Sequence, residues 1–408
     1  MREKKLFEKV LEDYREMVWG CSRCNWCQNH WGWSLKSARF NEICPAFYLN
    51  RFFPYSGMGK MHIARALIEG DFDCEDSDKL LEIVYQCTTC GACEMNCLRL
   101  QEKTPLKVTE ALRSWLVEKG IGPLPEHKQL TSSIRTYGNP WLQPRERRDR
   151  WARGVDIRDV SKEKEKVDLL YFVGCTAAFD PLIQKMAKDT VNILRKGGVN
   201  LGFLGTKEVC CGSPAIRVGD RELFFKLAKE NIETFNKLGI HTIVTTCPGC
   251  YRVLKYDYTE VPGVPEPKYE VIHTTQYVEK LLKEGNLVFE KDMPVTVTWH
   301  DPCHLGRHCG IYDAPRNILK SIPGLKIVEM ERNKDQAFCC GAGGGARTAF
   351  IDFAVETASE RIEEAKASGA EALVTSCPFC EQNFTDALHA REEKIKLYDL
   401  NDLVMQSL

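Results

Sequence analysis

The second half of the chain alternates short apolar runs with longer stretches in which apolar residues recur every three or four positions. The short runs at 167–174 and 295–299 predict buried strands, because strands covered on both faces of a parallel sheet are almost uniformly apolar. The stretches 220–238 and 348–368 predict amphipathic helices, each of which is followed by a glycine. Strands and helices in this alternation predict an α/β layer domain in each half of the region.

This pattern occurs twice, at 167–290 and at 291–408. Each copy contains a strand that ends at a cysteine, then a Cys-Cys-Gly triplet and a Cys-Pro-x-Cys motif, and the intervals hold 34 and 35 residues in the first copy and 35 and 36 in the second. A drift of one residue per interval is typical of a duplicated domain with single-residue loop insertions. Ligands of such sheets gather beyond the carboxyl ends of the strands, where we expect Cys175, Cys247, Cys303 and Cys377. The full set of motif cysteines is Cys175, Cys210, Cys211, Cys247 and Cys250, and then Cys303, Cys339, Cys340, Cys377 and Cys380.

Residues 1–125 carry a different cysteine pattern. One run has the C-x2-C-x2-C-x3-C spacing of bacterial ferredoxins, in which three close thiolates bind one cubane 4Fe-4S cluster and the fourth binds a neighbouring cluster. An earlier run of three cysteines is completed only after sixteen intervening residues, by a cysteine that proline follows. Cross-ligation then predicts one cubane on Cys21, Cys24, Cys27 and Cys97, and a second on Cys87, Cys90, Cys93 and Cys44. Zinc is disfavoured because a tetrahedral zinc site uses two separated pairs of ligands.

Composition narrows the class of protein. The chain has 408 residues, 20 cysteines and a formal charge of −1, so no global field attracts nucleic acid. No apolar stretch approaches the roughly 18 residues of a membrane helix, and the first residues lack the apolar core of an export signal. We therefore expect a cytoplasmic protein whose cysteines bind metal, attached to a membrane only through a partner. Cys74 and Cys309 have no partner at ligand spacing, and we expect them to be structural.

The doubled C…CC-G…C-P-x-C pattern resembles the CCG domain of heterodisulfide reductase catalytic subunits, and the ferredoxin-like first half is similar to the fused D-type subunit. The resemblance implies a noncubane 4Fe-4S cluster at each motif, held by its five cysteines. It also implies a fold in which a mostly helical two-cluster ferredoxin-like domain precedes a duplicated α/β CCG domain. With two cubanes, the protein would hold four clusters on eighteen of its cysteines.

Three residues around one cluster ligand are candidates for catalysis. His300, His304 and Arg307 flank Cys303, and cleavage of a disulfide needs a proton donor and a cation that stabilises the thiolate. The alternative is that these groups only tune the reduction potential by hydrogen bonding to the cluster sulfurs. The first motif has Thr176 where the second has His304, which predicts that the two sites are not chemically equivalent.

The resemblance implies an iron–sulfur electron-transfer subunit of an anaerobic redox complex that reduces a thiol-disulfide at a noncubane cluster. The alternative is an electron relay without a substrate of its own, as in class II benzoyl-CoA reductase complexes. Expected partners are a flavoprotein, a ferredoxin or a membrane cytochrome, with a small-molecule disulfide as the substrate. Residues 126–166, rich in proline and charge, predict a linker with a basic, solvated face.

Overall fold

The computed structural model describes residues 4–29, 37–72, 74, 78–97, 105–162 and 166–408. Residues 4–137 are mostly helical where they are described. The cap residues explain several boundaries: the Ser56 hydroxyl accepts a hydrogen bond from the Gly59 amide at the start of α3, and left-handed Gly70 ends this helix. The helices are α1 (Arg15–Trp19), α2 (Pro45–Asn50), α3 (Gly57–Glu69), α4 (Asp78–Tyr85), α5 (Ala92–Met95), α6 (Pro105–Glu118) and α7 (Pro125–Tyr137).

The first repeat is a five-stranded parallel sheet with strand order β1-β3-β2-β4-β5. Its elements are β1 (Arg158–Asp159), β2 (Leu169–Tyr171), α8 (Cys175–Phe179), α9 (Gln184–Lys196), β3 (Leu201–Phe203), α10 (Ser213–Arg217), α11 (Arg221–Lys237), β4 (Thr242–Thr245), α12 (Pro248–Lys255), β5 (Glu270–His273) and α13 (Thr274–Lys283). All residues of β2 and β3 are buried, as their apolar sequence predicts.

The second repeat is a four-stranded parallel sheet with strand order β7-β6-β8-β9, which matches β3-β2-β4-β5 of the first. Its elements are β6 (Thr296–Trp299), α14 (Asp313–Ser321), β7 (Lys326–Val328), α15 (Ala346–Ala349), α16 (Ile351–Ala367), β8 (Ala372–Thr375), α17 (Pro378–Ala390), β9 (Lys396–Asp399) and α18 (Leu400–Ser407). The shared strand order confirms the duplicated α/β fold predicted from the sequence.

The segment predicted as a linker is folded onto the first repeat. It contains all but the first residue of α7, and also β1, which pairs with β3 at the edge of the sheet. Trp151 of this segment is buried and packs edge-on against Tyr171 and Phe203. Proline and charged residues are typical of linkers. In this segment, however, a few apolar side chains such as Trp151 attach the chain to the sheet.

One apolar core joins the two repeats. It includes Tyr171 and Val191 from the first repeat together with Trp299, Ile318 and Val374 from the second. The sheets are therefore held in a common orientation, with the carboxyl ends of their strands available to one site. No helix in the described ranges is long and apolar enough to cross a membrane.

A buried arginine connects the helical part of the chain, which comprises α1 to α6, to both repeats. The Arg113 guanidinium, on α6, donates hydrogen bonds to the carbonyls of Val84 and Cys87 at 2.8 and 2.6 Å. It also donates to the carbonyl of Arg217 in the first repeat, at 2.6 Å, and to that of Gly344 in the second, at 2.7 Å. One side chain thus satisfies carbonyls from all three parts of the chain.

Candidate metal centres and the cavity between them

The five motif cysteines of the first repeat converge beyond the carboxyl end of its sheet. Cys175 is the first residue of α8, after β2, and Cys247 caps α12, after β4. Cys210 and Cys211 lie between β3 and α10. The Sγ atoms of Cys211 and Cys250 are 3.4 Å apart, and the thiols of Cys175 and Cys210 are hydrogen-bonded. All five are free thiols, so their sulfurs are available to a metal centre.

The second repeat places its own five cysteines in the same way. Cys303 follows β6 and hydrogen-bonds to Cys339, while Cys377 caps α17 after β8. Cys340 forms a hydrogen bond with the thiol of Cys380. The two clusters of sulfur atoms are thus built on equivalent elements of the two sheets.

Hydrogen bonding among the thiols lowers the pKa of two cysteines in each motif, Cys211 and Cys247 in the first and Cys339 and Cys340 in the second. Hydrogen bonds from Cys339 and Cys380 lower the pKa of Cys340 to about 5. In the first repeat, hydrogen bonds from Cys210 and Cys250 lower the pKa of Cys211 to about 6. Because the thiolate is the form that binds metal, this arrangement suits metal binding.

The glycine of each Cys-Cys-Gly triplet positions an amide against sulfur. The N–H of Gly212 donates to Cys210 Sγ, and that of Gly341 donates to Cys339 Sγ, both at 3.4 Å. Their φ angles are +88° and +93°, and a Cβ on Gly341 would lie 2.7 Å from the Ala354 carbonyl oxygen. Glycine is therefore required here. Converging thiols with amide donors to sulfur fit an iron–sulfur cluster, whose charge these donors stabilise.

The cysteines of the helical part form two further groups. Four of them surround a cavity of about 20 Å³, next to Met58, whose amide donates to Cys27 Sγ at 3.3 Å. The cysteines of this group are Cys21, Cys24, Cys27 and Cys97. In the other group, burial raises the pKa of Cys44 to about 12, and the nearby thiols of Cys90 and Cys87 add to the rise. Cys93 lies close to the same thiols.

Cys90 also contacts the second repeat. Its thiol lies beside that of Cys339, and its carbonyl accepts a hydrogen bond from Arg307 Nε at 2.8 Å. The neighbouring carbonyl of Thr89 lies 3.1 Å from Nε2 of His308. The helical part and the second repeat are therefore in direct contact beside Cys90 and Cys339.

A single cavity of about 390 Å³ lies between the two motifs. It reaches the surface beside the exposed Thr348, and its volume is in the range of small-molecule sites. Cysteines of both repeats line this cavity: Cys175, Cys210, Cys211, Cys247, Cys250, Cys303, Cys340, Cys377 and Cys380. Other lining residues are Thr176, His304, Arg347, Trp141 and Gln382.

Of the three residues predicted to be catalytic, only His304 lines the cavity. Its Nδ1 lies 3.3 Å from Cys303 Sγ, and its ring stacks on His308 with centroids 4.1 Å apart. Burial, with help from nearby arginines, lowers the pKa of His304 well below its ordinary range. The Arg307 guanidinium is engaged by the carbonyls of Cys90 and Ala337, and His300 is fully buried behind the motif.

Sequence reasoning missed a buried cation beside the first motif. Arg148 lies in the charged run predicted to be solvated, yet it is 2% exposed and forms an ion pair with Glu208, which is also 2% exposed. Its Nη1 lies 3.4 Å from Cys175 Sγ, while Glu208 accepts hydrogen bonds from the amides of Val173 and Gly174. Burial alone lowers the pKa of Arg148, but attraction to Cys175 and Glu208 outweighs it and raises the value.

One feature of the sequence indicates that Glu208 needs a buried cation such as Arg148. Glu208 directly precedes the buried Val209-Cys210-Cys211 run, where a charged residue needs a buried counter-ion. Both motifs therefore have an arginine close to their first cysteine, Arg148 in the first and Arg307 in the second. The two sites were predicted to differ chemically, but each has a positive charge close to its first cysteine.

The two cysteines outside the motifs lie in apolar surroundings. Cys74 is buried in the core of the helical part, and Cys309 is half-buried against the core of the first repeat. This placement agrees with the structural role expected of them.

Comparisons with known proteins agree with this geometry. The cysteine-rich CCG domain matches twice, at residues 169–255 and 297–385. The D-type subunit of the dihydromethanophenazine:CoB–CoM heterodisulfide reductase of Methanosarcina barkeri is 35% identical over 393 residues, which cover 95% of this chain and 93% of the relative. The chain belongs to the family of D-type heterodisulfide reductase subunits.

Other relatives extend the range of the family. The EtfAB:quinone oxidoreductase of Syntrophomonas wolfei is 33% identical over 80% of this chain, which spans 47% of that protein. The probable iron-sulfur-binding oxidoreductase FadF of Bacillus subtilis is 32% identical over 86% of the chain. A hypothetical protein from Helicobacter pylori shares the fold, with a TM-score of 0.54 and 12% identity over 86% of the chain and 68% of its own. The chain is an electron-transfer iron–sulfur subunit of an oxidoreductase.

Proposed function

We propose that this subunit reduces a small-molecule disulfide in the cavity between its two CCG motifs. The observation that carries the proposal is that sulfur atoms from both motifs line one cavity that reaches the surface. Clusters bound to these cysteines would occupy part of the cavity, and its opening beside Thr348 would give a small molecule access to them, which a relay without a substrate does not need. The relatives whose name specifies a heterodisulfide support a substrate of the form RS–SR′.

The cofactor content that we propose is four clusters. The five cysteines of each motif would hold a noncubane 4Fe-4S cluster. In the helical part, the four cysteines around the small cavity would hold one cubane, and Cys44, Cys87, Cys90 and Cys93 would hold the other. Amide donors at Cys27, Cys210 and Cys339 support this assignment, because such hydrogen bonds stabilise cluster charge. The helical part would then be a two-cluster ferredoxin-like domain at 1–125.

The reaction that we propose takes up two electrons and two protons: RS–SR′ + 2 e⁻ + 2 H⁺ gives RSH and R′SH. The clusters supply the electrons when they are bound. His304 lines the cavity and could deliver a proton from its ring to a nascent thiolate beside Cys303. Arg347 also lines the cavity; its Nη2 forms an ion pair with Asp386, and its buried Nε has no hydrogen-bond partner among the described residues, so Nε is the atom that could donate to an acceptor on the substrate.

Electrons would enter the CCG domain through the contact between Cys90 and the second motif. The Cys90 and Cys339 thiols are neighbours across the boundary between the helical part and the second repeat. The donor would dock on the helical part and would be a flavoprotein, a ferredoxin or a membrane cytochrome. We propose that the protein is cytoplasmic and reaches a membrane only through such a partner.

The test is a disulfide-reduction assay with the full chain, purified without oxygen. The probes are the mixed disulfide of coenzymes M and B and a simple symmetrical disulfide, each with a reduced viologen as the electron source. Viologen supplies electrons without the physiological donor, so the assay reports substrate chemistry alone. We expect viologen oxidation to release thiols in a ratio of two electrons per disulfide. Electron uptake without cleavage of either disulfide would favour the relay function.

Iron analysis tests the cofactor proposal. We expect about sixteen iron atoms per chain from four four-iron clusters. Serine at Cys87, Cys90 and Cys93 together should remove one cubane signal from the electron paramagnetic resonance (EPR) spectrum and leave the CCG signals in place, because serine in the helical part leaves all ten motif cysteines unchanged. Loss of every signal in this variant would contradict the proposed assignment of separate ligand sets.

A further inference from the structure

The buried residue His300 faces the second CCG motif from outside the cavity. Its side chain is fully buried, and its ring meets Phe384 edge-on with centroids 4.9 Å apart. A ring nitrogen of His300 and the Sγ atoms of Cys340 and Cys380 all lie within 4.8 Å of one another. No other described polar group hydrogen-bonds to Nε2 of this buried ring.

The neighbouring Arg361 determines which ring nitrogen carries the proton. Arg361 is fully buried, and its Nε donates to Nδ1 of His300 at 3.3 Å. Its own position is secured by a hydrogen bond from Nη1 to the Arg332 carbonyl at 2.8 Å and by an ion pair with Glu364. A guanidinium is always protonated and cannot accept a hydrogen bond, so Nδ1 must be the acceptor. The proton of the neutral ring is therefore on Nε2.

We propose that His300 donates a hydrogen bond from Nε2–H to the sulfur atoms held by Cys340 and Cys380, and thereby raises the reduction potential of the second CCG centre above that of the first. A hydrogen-bond donor stabilises the extra negative charge of the reduced state, which makes reduction more favourable. The same proton excludes His300 as an iron ligand, because Nε2 has no free lone pair in this tautomer. Arg361 is a positioning residue that acts through His300.

The first repeat lacks this arrangement. Phe172 occupies the position of His300, three residues before the first motif cysteine in each repeat. Asn231 occupies the position of Arg361, ten residues after the start of α11 and α16 respectively. It donates instead to the Cys210 carbonyl at 3.1 Å and to the Tyr258 hydroxyl at 2.9 Å. An electron shared between the two centres would therefore reside on the second, which is the one in contact with Cys90.

This inference rests on the proposed cluster assignment and is tested on the full, iron-loaded chain. In a redox titration followed by EPR, His300→Phe should shift the one-electron sharing equilibrium between the two CCG centres about tenfold toward the first. For a one-electron couple this is a change of about 59 mV in the potential of the second centre. His300→Gln retains an N–H donor at a similar reach and should restore most of the difference. His389→Phe, which removes an exposed histidine from α17 of the same repeat, should change nothing.

Pulsed EPR gives an independent readout. The wild-type protein should show weak nitrogen coupling at the second centre, and His300→Phe should remove one coupled nitrogen while the coupling from the Gly341 amide remains. An unchanged potential and coupling in His300→Phe would overturn the inference, as would an equal shift of both CCG centres. Strong coupling typical of a directly bound nitrogen would also overturn it, because His300 would then be an iron ligand.

If His300→Phe loses the second cluster, His300→Gln decides the matter. A wild-type potential in this variant supports the hydrogen bond, and loss of the cluster from both variants overturns the inference. Absence of a second CCG signal from the wild-type protein would instead count against the proposed function, so the two failures are distinguishable.

Discussion

Replacing Arg148 with methionine is expected to lower the free energy of unfolding by about 3–5 kcal/mol, the usual cost of leaving one member of a buried ion pair without its partner. Glu208 would keep its hydrogen bonds to the Val173 and Gly174 amides but would lose its counter-ion in a site that excludes water. Cys175 would also lose its nearest cation. Urea denaturation without oxygen, followed by tryptophan fluorescence, measures the change.

The matched control removes both charges of this pair. In the double variant with Arg148→Met and Glu208→Gln, no uncompensated carboxylate remains, so stability should recover toward the wild-type value. The Val173 and Gly174 amides donate to different oxygens of Glu208, so the glutamine carbonyl keeps one of these two hydrogen bonds and the recovery should be partial. If the single and double variants were equally unstable, the loss would reflect packing around the arginine, and the charge argument would be wrong.

His304→Ala is expected to slow disulfide reduction about 10²-fold, the usual contribution of a general acid, while the iron content stays at the wild-type value. We expect this effect because the ring of His304 contacts Cys303 Sγ and also lines the cavity. The negative charge on a nascent thiolate favours a protonated ring nearby, which opposes the effect of burial during turnover. Steady-state rates with a disulfide and reduced viologen measure the change.

Thr176→Ala is the control for this prediction, because Thr176 lines the same cavity in the equivalent position of the first repeat. We expect little loss of rate. Equal losses at the two positions would mean that both sides of the cavity act on one substrate in the same way. No loss at either would contradict a role for His304 in proton transfer and leave it a residue that adjusts the potential.

The sequence was sufficient to predict the duplicated sheets and the convergence of their cysteines. Both follow from local patterns: an apolar run specifies a buried strand, and the loop after it must lie at the carboxyl edge. The cavity could not be predicted in this way, because it is formed by two motifs about 130 residues apart whose separation depends on the core shared by Tyr171 and Trp299.

The roles of individual side chains near the motifs also could not be predicted from the sequence. Three histidines and an arginine surround Cys303 in the chain, but turn geometry decides which of them faces the cavity. Only His304 does so, while His300 lies behind the sulfurs and is oriented by Arg361 from a distant helix. Similarly, Arg148 could not be distinguished from the exposed arginines of its run without knowledge of Glu208.

The hydrogen bonds of Arg113 have a kinetic consequence. Because one guanidinium is bound to the carbonyls of Cys87, Arg217 and Gly344, the spacing between the helical part and both repeats is established when the chain folds. Internal electron transfer then requires no collision between separate carriers. Its rate should be first-order and independent of protein concentration, so only the encounter with the external donor responds to dilution or salt.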